Sequence, residues 1–414
     1  MTLSNSQPSR RLLFLLPFAP RLDARHGGGR AIAQLLAGLA PRHHLALLYL
    51  RAPDEPPIDD ILRRRCDLVE EITRPSHGHS LAQRGLRNLR LIISLLCGNP
   101  TWATNWAVAG YESRARSLAR SWQPDIVQLE YHVMGQYLSA LDNCPAPRVL
   151  IEHEPGIKAA RDLWQSQRGF ARVKHYLNML AWKRFERAIV ERVQAVVVFT
   201  ERDRQVLTQL GRPTPIVRIP LGTMLPEQPL SPLGCQPPSL LFVGNFIHPP
   251  NVDAAVRLAS AIFPQLQARF PELMLYIVGD QPPPRLRHMA RENIVITGDV
   301  PDVTPYLDRA AVVVVPLRLG GGMRVKVLES LAAGKAMVAS RLATEGLNLT
   351  DGEQIVLAES DYQFCEAILQ LLSNPVRRAS IAARARAWAC ANLSWDESVA
   401  EYELLYQRLI EGSF

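Results

Sequence analysis

Val312-Val-Val-Val-Pro-Leu-Arg-Leu-Gly-Gly-Gly-Met-Arg-Val-Lys-Val-Leu-Glu329 runs into Ser330-Leu-Ala-Ala-Gly-Lys335. Four valines in a row, closed by Pro316, read as a strand covered on both faces, because such β-branched runs without polar alternation suit a buried parallel sheet. Gly320, Gly321 and Gly322 then let the backbone turn sharply and approach a ligand without Cβ interference. From Met323 to Ala333, Val327, Leu328, Leu331 and Ala332 recur at helical spacing, and Gly334 is the stop. A strand, a glycine turn and a helix start together make an anion site, since unpaired N–H groups and the helix dipole both favour negative charge. Arg324 and Lys326 add two cations, and Glu329, nearly two turns into the expected helix, is placed to accept hydrogen bonds from sugar hydroxyls. The pattern points to a phosphorylated sugar compound.

This arrangement resembles the donor-binding segment of retaining glycosyltransferases of the large family 4, which have the two-domain GT-B fold. That resemblance implies two doubly wound, Rossmann-like α/β domains with parallel sheets, facing a cleft, and a C-terminal helix crossing back to the first. It also implies that Glu329 binds the ribose of a nucleotide-sugar. A second family glutamate, seven residues before it, would fall at Gly321 and is lacking. Many members share this glycine variant, with an Arg-x-Lys pair ahead of the remaining glutamate.

Working outward, Ser239-Leu-Leu-Phe-Val243 reads as the strand opening the second domain, followed by Gly244-Asn245, with Asn251 as the cap of the next helix. Family members often carry phosphate-binding cations where this chain has Asn245 and Pro250, which leaves Arg324 and Lys326 as the main cations on the diphosphate. Ile294-Val-Ile-Thr297 is another strand, and the resemblance places Gly298 beside the nucleotide base. The expected donor-binding set is therefore Gly28, Gly29, Gly244, Asn245, Gly298, Gly320, Gly321, Gly322, Met323, Arg324, Lys326 and Glu329.

In the first half, Arg11 to Phe18 read as a strand, Asp23 to Arg30 as a turn rich in glycine, Ala31 to Leu39 as a helix and Leu45 to Leu50 as a second strand, a βαβ unit. By the resemblance, Gly28 and Gly29 face the donor diphosphate. Strands ending at Glu130 and Glu154 bring polar residues to their carboxyl ends, where open α/β sheets bind ligands. Glu130, His132, His153 and Glu154 are thus expected around one crevice mouth. His153, flanked by two glutamates, takes the family's histidine role near the acceptor hydroxyl and donor sugar, with Glu130 as its catalytic companion. Leu81 to Gly98 reads as a helix with Arg84, Arg87 and Arg90 at helical spacing. Its apolar residues suit either core packing or an anionic lipid surface. Residues 158–192 interleave aromatic and basic residues along helices, read as packing helices with solvated cations. Thr200 is placed to cap the helix that follows Phe199.

The 414 residues suggest two domains of about 200 each. The expected limits are 1–222 for an acceptor-binding domain, 223–238 for a proline-rich linker, 239–385 for the donor domain and 386–414 for a returning helical segment. Hydrophobic residues at 47% and charged ones at 21% describe a soluble globular chain. A net charge of +8 suits anionic nucleotides or an anionic membrane surface, while the spread of its cations argues against nucleic acid. Six scattered cysteines suggest a reducing compartment. No stretch approaches the roughly 20 apolar residues that span a bilayer, and the expected location is cytoplasmic with peripheral contact at the inner membrane face.

The function these features imply is transfer of a sugar from a nucleotide-sugar to a glycan or lipid-linked acceptor, a polysaccharide precursor, with retention. No metal and no cofactor are expected, for there is no Asp-x-Asp motif or obvious carboxylate cluster. A GT-B epimerase and a nucleotide-sugar-binding protein without turnover are the alternatives.

Overall fold

The computed structural model describes residues 8–24, 27–75, 81–166, 168–320 and 324–413. The chain divides into two compact units. The first comprises Met1–Ala24, Gly28–Pro220 and Ser398–Phe414, and the second Arg25–Gly27 and Leu221–Glu397.

The first unit holds a seven-stranded parallel sheet: β1 (Arg11–Leu16), β2 (His44–Arg51), β3 (Leu68–Thr73), β4 (Ile126–Glu130), β5 (Arg148–Glu152), β6 (Ala195–Val198) and β7 (Ile216–Arg218). Its spatial order is β3-β2-β1-β4-β5-β6-β7. The second unit holds β8 (Ser239–Val243), β9 (Met274–Val278), β10 (Ile294–Ile296), β11 (Val312–Val315), β12 (Met337–Ala339) and β13 (Val356–Leu357), ordered β10-β9-β8-β11-β12-β13, again all parallel. Both are doubly wound sheets. The chain builds outward from β1 in one direction and resumes at β4 in the other, and does the same at β8 and β11. Each reversal leaves a crevice at the carboxyl ends of two central strands, where such folds bind ligands.

The most deeply buried strands form where the sequence is continuously apolar. Val312 to Val315 are buried throughout, as are Leu12 to Leu16 and Val196 to Val198. Helices cover both faces, so these inner strands need no polar side, while the edge strand β3 carries Glu70 and Glu71.

Several local expectations are adjusted. The glycines after β1 do not form a turn: the helix Gly27–Leu39 begins with them. The helix after the second glycine cluster starts at Val325, so Glu329 stands just over one turn in, not nearly two. Asn251 is not a cap, since His248 occupies that position of the helix Pro249–Arg257. Thr200 does cap Glu201–Thr208, accepting from Asp203 N at 3.1 Å. The proline-rich stretch after Leu221 is irregular yet stitched to the second unit: Leu230 N donates to Ala333 O at 2.8 Å, and the buried Lys335 ammonium donates to Ser231 O and Asp308 O. The last helix, Trp395–Glu411, changes units at Ser398. Within the first unit it is anchored by Val399 against Gly38 and by Glu403, whose Oε1 lies 3.0 Å from Nε2 of the buried His43.

Among the described residues no helix is long and apolar enough to cross a membrane. The helix Leu81–Leu96 is amphipathic, but its apolar side is not core. Leu86 is 73% exposed and Leu96 76%, with Leu89, Ile92 and Ile93 also in the open.

Candidate functional site

Candidate residues named from the sequence gather at both reversal points. In the second unit, β8 ends at Val243 and Gly244 follows directly. A Cβ on Gly244 would stand 3.0 Å from the Asn251 side chain and 3.2 Å from Lys326 Nζ, so a larger residue would crowd the cation. Asn245 shapes the loop: its Oδ1 accepts from Ile247 N at 3.0 Å and its carbonyl accepts from Asn251 Nδ2 at 2.7 Å. This orients Asn251 so that its Oδ1 accepts from Lys326 Nζ at 2.6 Å. The same ammonium lies 4.5 Å over the Phe242 ring, a cation–π contact. Burial, and then the neighbouring Arg324, lower the Lys326 pKa to about 7, against a raising contribution from Glu329.

Gly320 ends the strand-side approach with φ +104°, a conformation open to glycine and costly for residues with a Cβ. A Cβ there would lie 3.4 Å from the Arg324 guanidinium. Arg324, Lys326 and Glu329 therefore cluster on one short segment at the β8–β11 reversal, next to Gly244. Gly321, Gly322 and Met323 lie outside the described residues. Gly298 is apart, following the edge strand β10, with φ +78° and open space around it.

In the first unit the reversal lies between β1 and β4. His153, just past β5, places Nε2 2.7 Å from Glu130 Oε2 at the end of β4. Gln128, on the same face two residues earlier, donates its amide to Glu130 Oε1 at 2.6 Å. Tyr131 stacks on His153, ring centroids 3.8 Å apart and 3° from parallel, from a backbone with φ +67°. Its hydroxyl occupies the space a Cβ on Gly28 would need, and Nδ1 of His153 is 3.6 Å from that same point. Gly28 thus lies against Tyr131 and His153, while Gly29 is buried in the same first helical turn.

His132 and Glu154 do not join this group. Glu154 is half-buried at the mouth. His132 is fully buried on the other face, its Nδ1 against Glu152 Oε1 and its ring edge-on to Trp102 and Trp182. Residues 152 and 153 point to opposite faces by strand alternation, whereas Glu130 and His132, two apart, would share a face in a continued strand. The chain instead leaves β4 at Tyr131, with φ +67°, and enters the 3-10 helix His132–Leu141, which carries His132 to the other side. Each face receives its own histidine–glutamate pair. Glu186, from the helix Phe170–Val190, completes the buried cluster and accepts from the backbone N–H groups of Gly156 and Ile157, capping the helix Gly156–Ser166. Burial lowers the His132 pKa to about 4. Burial and then Glu152 raise Glu186 to about 8, and burial drives Glu152 well above the usual carboxylate range. Ligand atoms of His132, Glu152 and Glu186 lie within 4.8 Å of one another, a set of the right types to hold a cation among the described residues. Sequence reading found no carboxylate cluster because these residues are 20 to 54 positions apart.

Comparison with known proteins bears on these two sites. Residues 237–374 match the family model described as glycosyl transferases group 1. A 154-residue stretch is 32% identical to the phosphatidyl-myo-inositol mannosyltransferase of Mycolicibacterium smegmatis, covering 36% of this chain and 39% of that one. Across three such curated relatives the match spans only 37–39% of their own length. In fold, the chain is similar to sucrose-phosphate synthase from Thermosynechococcus elongatus, with a TM-score of 0.71, 16% identity, and coverage of 97% of this chain and 100% of the other. It is also similar to Anabaena HepE, solved with UDP and glucose, with a TM-score of 0.64, 13% identity and coverage of 95% and 99%. The two doubly wound units have the GT-B fold, and within the second of them residues 237–374 are similar to the glycosyl transferases group 1 family.

Proposed function

We propose that this protein is a retaining, metal-independent glycosyltransferase that moves a hexose from a nucleotide-sugar to a lipid-linked or polysaccharide-precursor acceptor. The carrying observation is the β8–β11 reversal, where Gly244, Asn251, Lys326, Gly320 and Arg324 build a cationic pocket next to Glu329. During transfer the bond from the sugar's anomeric carbon to the diphosphate breaks, a bond from the acceptor oxygen to that carbon forms, and negative charge collects on the leaving diphosphate. Arg324, Lys326 and the first N–H groups of the helix Val325–Ala332 are suited to meet that charge. Glu329 is suited to accept from ribose hydroxyls. UDP in the HepE structure, and the mannosyltransferase relative, support a nucleotide-sugar donor.

A lipid-linked acceptor is supported by the exposed apolar side of the helix Leu81–Leu96. The helix Phe170–Val190 packs beside it and exposes Val173, Tyr176, Leu177 and Leu180. Arg90, Arg172, Lys174, Lys183, Arg184 and Arg187 are exposed on the two helices, whose one acidic residue, Glu186, is buried. Apolar exposure with a positive surround suits an anionic bilayer.

The test is a donor screen by thermal stabilisation with uridine- and guanosine-diphosphate sugars, then turnover of the radiolabelled hit with a membrane extract. A ligand at 100 times its dissociation constant stabilises by about 2.7 kcal/mol. Stabilisation with label entering the lipid fraction supports the proposal. Stabilisation without transfer favours a binding protein, and interconversion of the free sugar favours an epimerase.

A further inference from the structure

A directed chain of hydrogen bonds runs from the last helix to the histidine of the first unit. The Tyr406 hydroxyl donates to Gln128 Oε1. Gln128 has then only its amide N–H groups left for Glu130, and it donates to Oε1 at 2.6 Å. Glu130 Oε2 faces His153 Nε2 at 2.7 Å. Tyr406, Gln128 and Glu130 are all buried, and the His153 side chain is 9% exposed. Neither Gln128 nor Tyr406 reaches the crevice, so neither can touch a sugar.

The polarity of this chain has a chemical consequence. A phenol in an apolar core stays protonated: burial and the Glu130 charge push the Tyr406 pKa well above its usual value. Its hydroxyl therefore keeps a proton to donate to the Gln128 oxygen, while the Glu130 carboxylate can only accept, and the two together point the Gln128 amide nitrogen at Glu130. A carboxylate accepts at both oxygens, so the proton between Glu130 and His153 sits on Nε2. In the Nε2–H tautomer Nδ1 carries the lone pair, and it lies 3.6 Å from the position a Gly28 Cβ would occupy. Stacking by Tyr131 holds the ring plane.

We infer that Gln128 and Tyr406 are positioning residues that hold Glu130 as a double acceptor and so lock His153 in the Nε2–H tautomer, presenting Nδ1 as a hydrogen-bond acceptor for a sugar hydroxyl. The sugar as ligand rests on the glycosyl-transfer reading; the tautomer lock does not. The same logic predicts what a conservative change does. In Glu130→Gln, the new amide must use its oxygen for Gln128, leaving its NH2 to donate to Nε2 and forcing the proton of His153 to Nδ1.

The experiment is ¹⁵N NMR of the imidazoles in the full-length protein at neutral pH, with His153 assigned by its loss in His153→Ala. The lock requires Nε2–H in wild type, Nδ1–H in Glu130→Gln, and a mixture in Glu130→Gln/Tyr406→Phe, where Gln128 is free to turn over and accept. Wild-type His153 protonated at Nδ1, or a double variant identical to Glu130→Gln, overturns the inference. Circular dichroism checks that each variant is folded, and the Glu130→Gln arm keeps Tyr406 should its removal prevent folding. With an identified donor, Tyr406→Phe should lower kcat about ten-fold, as for one weakened hydrogen bond, with donor KM unchanged. Absence of any transfer activity with the tautomer pattern intact overturns the glycosyltransferase reading alone.

Discussion

Lys326 and Asn251, 75 residues apart, meet at 2.6 Å, and the contact aims the ammonium across the Phe242 ring toward Gly244. Burial and Arg324 bring its pKa down to about 7. A lysine lowered this far is charged below pH 7 and neutral above it, and an anionic ligand prefers the charged form. Donor affinity should therefore be highest near pH 6 and fall about ten-fold by pH 8.5, as expected for loss of one charge on a diphosphate contact. Calorimetric titration across this range should show the slope in wild type and a nearly flat profile in Lys326→Met.

Glu329 is half-buried, one turn into its helix, and its charge supports that of Lys326. Glu329→Ala should weaken donor binding by about 1.5–3 kcal/mol, roughly ten- to 150-fold, as for a lost charged hydrogen bond. It should also move the Lys326 limb to lower pH. Wild-type affinity in a folded variant would remove Glu329 from the donor site.

Chelation separates the cationic pocket from any metal chemistry. Activity should stay within about two-fold in excess EDTA, since Arg324, Lys326 and helix N–H groups supply the positive charge. Loss of activity restored by Mg²⁺ or Mn²⁺ would point to a metal, with His132, Glu152 and Glu186 as the first residues to substitute.

That buried cluster also sets opposite pH limbs of stability. His132, lowered from 6.5 to about 4, contributes stability above pH 6.5 that is lost as pH falls toward 4. Glu186, raised from 4.5 to about 8, contributes stability at low pH that is lost as pH rises from 4.5 through 8. Between pH 5 and pH 9, Glu186→Gln should lose a few degrees less in Tm than wild type. Equal losses in scanning calorimetry would show that Glu186 is already ionised at pH 5.

Membrane contact has its own test. Each basic residue near an anionic surface is worth about 1 kcal/mol, so replacing Arg84, Arg87 and Arg90 with glutamine should cut sedimentation with anionic vesicles by ten-fold or more, about as high salt does. Leu89→Asp should weaken it through the apolar contact and leave donor binding unchanged. Wild-type indifference to vesicles, with dimers in ultracentrifugation, would assign the exposed face to a second copy.

Much of the second unit was readable from local pattern. Four valines, a glycine cluster and a helical apolar stripe lie within one continuous segment, and each reports its own backbone preference without help from distant residues. The anion site expected of that segment was equally local, since a helix start and two cations two residues apart need no further chain to assemble. The pairing of His153 with Glu130 was only half legible. Both lie at strand ends, but whether β4 and β5 are neighbours, and on which face each side chain falls, depends on sheet order and register.

What only the tertiary structure decided is who stands behind those residues. His132 looked like a member of the crevice and is instead sealed between Trp102 and Trp182, because the chain leaves β4 at Tyr131 with φ +67° and turns it to the opposite face. The helix with three arginines looked equally suited to core or surface, since a hydrophobic stripe says how a helix is patterned and not whether another element arrives to cover it. Tyr406, 278 residues from Gln128, reaches it only because the last helix lies against the first sheet. Backbone preferences are set by neighbours in sequence. The directions of buried hydrogen bonds are set by neighbours in space, and those exist only once the sheet has been ordered.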